Sequence, residues 1–106
     1  MKVKFIESTN KAFEPLFGME MDIIIQMQVF MEFDPEDMKE YDFDFRKGSV
    51  RTSTIKSIQY NEIARFYYEI VVETNNGTYI FRQGKENTDE PYTDEEKQAI
   101  QMAMMF

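Results

Sequence analysis

Apolar and polar residues alternate along much of this chain, and a period of two is the signature of strands that bury one face. The clearest segment is Tyr67–Gln83, YYEIVVETNNGTYIFRQ, in which two β-rich runs, Glu69–Thr74 and Thr78–Arg82, flank Asn75-Asn76-Gly77. Asn-Gly tolerates the positive φ angles of a two-residue type I′ turn, so this stretch predicts a hairpin with Asn76-Gly77 as its loop. That register sets Asn75 against Thr78, Thr74 against Tyr79 and Val72 against Phe81. Ile70, Val72, Tyr79 and Phe81 then share one face.

Lys2–Glu7 alternates as well, with Val3 and Phe5 opposed to Lys2, Lys4 and Ile6, and predicts a first strand. Ser8-Thr9-Asn10 supplies N-cap oxygens for a short helix over Lys11–Phe17, which Pro15 keeps short. In Met19–Phe33 every odd position is apolar, and most even positions are polar. A helix would scatter Glu20, Asp22, Gln26, Gln28 and Glu32 around its circumference, so the segment predicts one long strand with a bend or bulge near Ile24.

Asp34-Pro35-Glu36-Asp37 is a helix start, with Asp as cap and Pro at the first position, for a turn ending by about Glu40. Tyr41–Arg46 alternates Tyr41, Phe43 and Phe45 with Asp42, Asp44 and Arg46. With a turn at Lys47-Gly48 and a strand over Val50–Gln59, it predicts a second hairpin. Over Ser57–Tyr68 a helix stays open, since Ile58, Ile63, Phe66 and Tyr67 would share its face; Tyr60–Arg65 reads as a loop or short turn, and Gly84–Tyr92 as a polar loop. Thr93-Asp94-Glu95-Glu96 forms a capping box for a C-terminal helix, Asp94–Met105, that would bury Ala99, Ile100, Ala103 and Met104.

The expected architecture is therefore one α+β domain over residues 1–106. It is a curved antiparallel sheet or partly open barrel of about six strands, closed by one C-terminal helix. This order of elements resembles that of a pleckstrin-homology-like barrel. The analogy is one of order alone and carries no function with it.

Composition narrows the chemistry. The chain has no His and no Cys, which removes the commonest general base, the commonest metal ligand and all thiolate reactions. Ser8, Ser49, Ser53 and Ser57 lie in no nucleophile-elbow sequence, and the glycines assemble no phosphate-cradling loop. No carboxylate spacing matches a calcium loop. The reading is a non-enzyme with no cofactor, no metal site and no catalytic residue.

Twenty acidic against twelve basic residues give a net charge of −8. That balance, without a basic cluster, disfavours direct contact with nucleic acid or an anionic membrane. No apolar run reaches the roughly 20 residues a membrane helix needs, and no secretory leader is visible, so a cytoplasmic protein is expected.

Three groups remain as candidate partner contacts. Asp42 and Asp44 would stand about 7 Å apart on one strand face, although solvation alone accounts for them there. Glu90 and Asp94 belong to a second acidic concentration, where capping explains part of the charge. Met105 and Phe106 end a Met-rich tail, which serves either end packing or an adaptable apolar contact. These features suit a small acidic protein-interaction module that binds a basic protein surface. One alternative is an acidic inhibitor that mimics nucleic acid in the channel of a DNA- or RNA-processing enzyme. Another is a small-ligand binder or enzyme with a deep polar pocket. Oligomeric state is left open by the sequence.

Overall fold

A computed structural model describes residues 1–63, 67–84, 98, 101 and 102. Among these, seven strands form a single antiparallel sheet: β1 Lys2–Ser8, β2 Glu20–Ile25, β3 Val29–Glu32, β4 Ser49–Arg51, β5 Ile55–Ile63, β6 Tyr67–Thr74 and β7 Gly77–Gly84. Their spatial order is β4-β3-β2-β1-β7-β6-β5. The described part is therefore β-rich, with seven strands where about six were expected. Gln98, Gln101 and Met102 are helical, and the rest of the expected helix Asp94–Met105 lies outside the described residues, as does the loop after Gly84.

The sheet is open, yet its two edges are tied together. β4 and β5 lie six strand spacings apart, about 29 Å in a flat sheet. Only Thr52-Ser53-Thr54 joins them, and Arg51 to Ile55 spans at most about 14 Å. The sheet must curl until diagonally opposite corners meet. Hydrogen bonds fasten that corner on both sides. The Thr52 hydroxyl accepts from the Val29 N–H (3.1 Å) and donates to the Ser53 carbonyl (2.9 Å). Ile55 N–H donates to Met27 O, Asn75 N–H to Thr54 O, and Asn76 N–H to the Ser53 hydroxyl.

One face of the curled sheet forms the core. Val3, Phe5, Met21, Ile23, Val29, Met31, Ile70, Val72, Tyr79 and Phe81 are all buried there. The 3-10 helix Lys11–Leu16 adds Phe13 and Leu16, and the loops after β3 add Met38 and Phe45. Aromatic edges fill the centre: the Phe5 ring lies 5.0 Å from Phe81 and 5.4 Å from Phe17, and Phe13 meets Tyr79 edge-on at 5.1 Å. Tyr79 is buried without stranding its hydroxyl, which accepts from Asn10 Nδ2 at 3.2 Å. A bulge at Ile6, between the Phe5–Phe81 and Glu7–Ile80 pairs, re-phases β1 so that Ser8 rather than Glu7 turns inward.

Several expectations are corrected. Met19–Phe33 is two strands, not one, because Gln26-Met27-Gln28 reverses the chain and Ile25 pairs with Val29. The loop of the central hairpin is Asn75-Asn76, with Thr74 opposite Gly77, Val72 opposite Tyr79 and Ile70 opposite Phe81. The Thr74 hydroxyl selects this register by accepting from Asn76 N–H and donating to the Gly77 carbonyl. The shift is two residues, so the shared face of Ile70, Val72, Tyr79 and Phe81 is as expected.

Tyr41–Arg46 is not a strand. Phe43–Phe45 is a 3-10 turn whose cap, Asp42, accepts the Asp44 N–H at 2.9 Å. β4 pairs with β3 instead, so the expected second hairpin does not form. The run Val50–Gln59 breaks at the connector, and β5 continues through Tyr60 to Ile63, where a loop was expected. The caps at Asn10 and Asp34 hold as expected, accepting from Ala12 and Glu36 N–H groups. The turn after Asp34 ends at Asp37, and the first 3-10 helix at Leu16.

Candidate functional site

The face of the sheet turned away from the core carries the charge, and strand register places it in rows. Glu69 of β6 stands opposite Arg82 of β7, which stands opposite Lys4 of β1, which stands opposite Glu20 of β2. One step along, Lys2 faces Asp22, and Asp22 faces Glu32 of β3. Two contacts in these rows set like charges directly against each other: Lys4 with Arg82, and Asp22 with Glu32. Such pairs destabilise a sheet unless something compensates them. The Arg82 guanidinium also lies over the Tyr67 ring at 5.7 Å, and the α-amino group of Met1 is 3.6 Å from Asp22.

An open hollow of about 880 Å³ lies along these rows. Its described lining has two banks. Glu20, Asp22, Glu32, Asp34 and Asp37 form the acidic one, from β2, β3 and the turn that follows. Lys2, Lys4, Arg82 and Tyr67 form the other, from β1, β7 and β6. The division follows strand order, with Val3, Met21, Phe33 and Gly84 completing the described lining. The carboxylates are solvent-exposed. Among the described residues, no group of three or more His, Cys, Asp or Glu could hold a metal ion.

Asp42 and Asp44 lie away from this hollow. Asp42 uses one carboxylate oxygen to cap its own turn, and Asp44 is exposed beside it. The same turn leaves Phe43 62% exposed, under the Arg46 guanidinium at 3.8 Å, while Arg46 also donates to the Phe43 carbonyl. Glu90, Asp94, Met105 and Phe106 lie outside the described residues. Glu20, Asp22 and Glu32 were visible in the sequence only as the polar half of an alternating segment. The signal for them was their shared parity with Lys2 and Lys4 on a neighbouring strand, which needs a register to be read.

No helix among the described residues is long and apolar enough to cross a membrane. The chain matches no protein-family model, no curated protein and no solved structure.

Proposed function

We propose that the protein is a non-enzymatic interaction module that binds a basic segment of another protein along the acidic bank of its outer sheet face. The observation that carries this reading is the direct opposition of Asp22 and Glu32 on neighbouring strands, with Glu20, Asp34 and Asp37 beside them. A Lys or Arg side chain lowered between two facing carboxylates relieves their repulsion and gains charge-assisted hydrogen bonds. Lys2, Lys4 and Arg82 on the other bank suit a partner that alternates basic and acidic residues. They also interrupt the carboxylates, so the hollow does not imitate a uniform array of phosphates, which favours a protein partner over the nucleic-acid-mimicking alternative. The lack of cysteine suits a reducing compartment such as the cytoplasm.

The experiment is affinity capture from the native cell with mass spectrometry, followed by binding measurements on two charge-reversed variants. Asp22→Lys/Glu32→Lys is expected to abolish capture. Asp42→Lys/Asp44→Lys is expected to leave it near the parent level, because Asp42 serves its own turn. Capture that survives the first variant and is lost in the second would move the site to the Asp42 turn.

A further inference from the structure

We propose that Asn76 is a site of spontaneous covalent modification, where the chain converts its own carboxamide to aspartate and isoaspartate, and that the isoaspartate form releases the corner closing the sheet. The reaction needs an asparagine side chain that can fold back onto the nitrogen of the following residue. Of the described asparagines, only Asn76 precedes a glycine, and Gly77 has no Cβ to shield its nitrogen from that approach. Asn76 is exposed, and its carboxamide makes no hydrogen bond among the described residues. Asn10 is the contrast. Its side chain accepts from Ala12 N–H and donates to the Tyr79 hydroxyl, and Lys11 follows it. Asn61 is held within β5 opposite Glu69, and Asn75 is followed by a residue with a side chain.

Water and a solvent base are the only co-reactants. The base removes the Gly77 amide proton, and the nitrogen bonds to Asn76 Cγ. The Cγ–Nδ2 bond breaks, Nδ2 leaves as ammonia with a proton from solvent, and a cyclic imide joins the two residues. Water then opens the imide. Breaking its bond to Cγ leaves aspartate at position 76. Breaking its bond to the main-chain carbonyl carbon leaves isoaspartate, with the chain running through Cβ and Cγ. Position gives this step a consequence. Asn76 N–H donates to the hydroxyls of Ser53 (3.0 Å) and Thr74 (3.2 Å), and Asn75 N–H donates to Thr54 O at 3.2 Å. The loop therefore holds the link Thr52-Ser53-Thr54 between the edges of the sheet. Isoaspartate adds a backbone carbon to a loop whose ends, Thr74 and Gly77, are fixed opposite each other. The loop must bulge, and its donors leave the link. The same bonds gate the reaction, because the imide closes only when the loop opens locally.

Peptide mapping by mass spectrometry tests the proposal, on the full chain aged at neutral pH beside a synthetic peptide of residues 72–80. Asn76 should convert more slowly than in the peptide but within about a hundredfold of it, as a locally opening surface loop allows. Ser53→Ala, with circular dichroism confirming that it is folded, removes an acceptor of the Asn76 N–H and should speed conversion at least about threefold. Asn76→Asp carries the charge of the product on an unaltered backbone, so it should keep the hydrogen-exchange protection of the Asn75 and Ile55 amides. The isolated isoaspartate protein should lose that protection by at least about tenfold. An Asn76 that is protected beyond a factor of about a hundred overturns the proposal. So does a Ser53→Ala rate equal to the parent's, or an isoaspartate protein whose corner amides exchange as slowly as the parent's.

Discussion

At Gly77 the backbone of one residue decides how β7 begins. Its φ of +147° lies where side chains are rarely tolerated, and a Cβ there would come within 2.8 Å of the Thr9 hydroxyl oxygen. That hydroxyl accepts the Thr78 N–H at 2.9 Å, and the Thr9 N–H donates to the Thr78 carbonyl, so the end of β1 clamps the start of β7. Gly77→Val should therefore destabilise the protein by about 1–3 kcal/mol, through backbone strain and through displacing Thr9. A thermal melt matching that of the parent would refute this account. The sequence marked Gly77 for a different reason, as part of the expected loop itself. Asn-Gly marked the turn to within one residue, but both registers place the same four apolar side chains inward. The choice between them fell to the Thr74 hydroxyl.

At the scale of elements, alternation is a dependable sign of burial and a poor sign of where a strand ends. Residues facing each other across a hairpin share a face, so a two-residue loop switches buried parity. Ile70 and Val72 are even, Tyr79 and Phe81 odd, and a turn was legible there, one residue from its actual place at Asn75-Asn76. The loop Gln26-Met27-Gln28 has three residues, so Ile23 and Met31 keep the same parity, and two strands read as one unbroken pattern. None of the three is Gly, Pro, Asn or Asp, and Met27, though apolar, is 77% exposed at the tip.

Tyr41–Arg46 fails in the opposite direction, since local capping by Asp42 outweighs alternation and only Phe45 of the three aromatics is buried. Phe45 packs near Phe13 and Phe33, at ring separations of 6.0 and 6.3 Å. Phe45→Ala should cost about 3–5 kcal/mol, whereas Phe43→Ala should change stability by less than about 0.5 kcal/mol. Chemical denaturation distinguishes this from a strand, in which the two losses would be alike. The corner that closes the sheet is tested by Thr52→Val. Thr52 is 2% exposed, and losing its hydroxyl strands the Val29 N–H, at an expected cost of about 1–3 kcal/mol. Unchanged denaturation of this variant would mean that the corner is held without that hydroxyl.

For the whole molecule, the proposed docking of a basic segment would make charge set how the two proteins meet. A net charge of −8 steers basic surfaces toward the protein, so association with a basic segment should slow steeply as salt rises through the physiological range. Reversal of Asp22 and Glu32 should flatten that dependence and lower the association rate more than the dissociation rate rises. Stopped-flow mixing at several salt concentrations measures both. A parent rate indifferent to salt would exclude the acidic bank as the docking surface.

From the residues alone, without any fold, came the β-rich class, the inward side chains of β1, β2, β6 and β7, the caps at Asn10 and Asp34, and the absence of His and Cys chemistry. Each of these depends on a residue and its neighbours a few positions away, through side-chain alternation or a bond from a side chain to nearby backbone. Tertiary structure alone decided which strands are neighbours. It set β4 beside β3, joined β1 to β7, curled the sheet until three residues could link its edges, and brought Asp22 against Glu32 and Lys4 against Arg82. Those pairings join residues separated by up to 78 positions. They are settled by how the buried faces of all seven described strands fit around one aromatic core, and no local pattern encodes that fit.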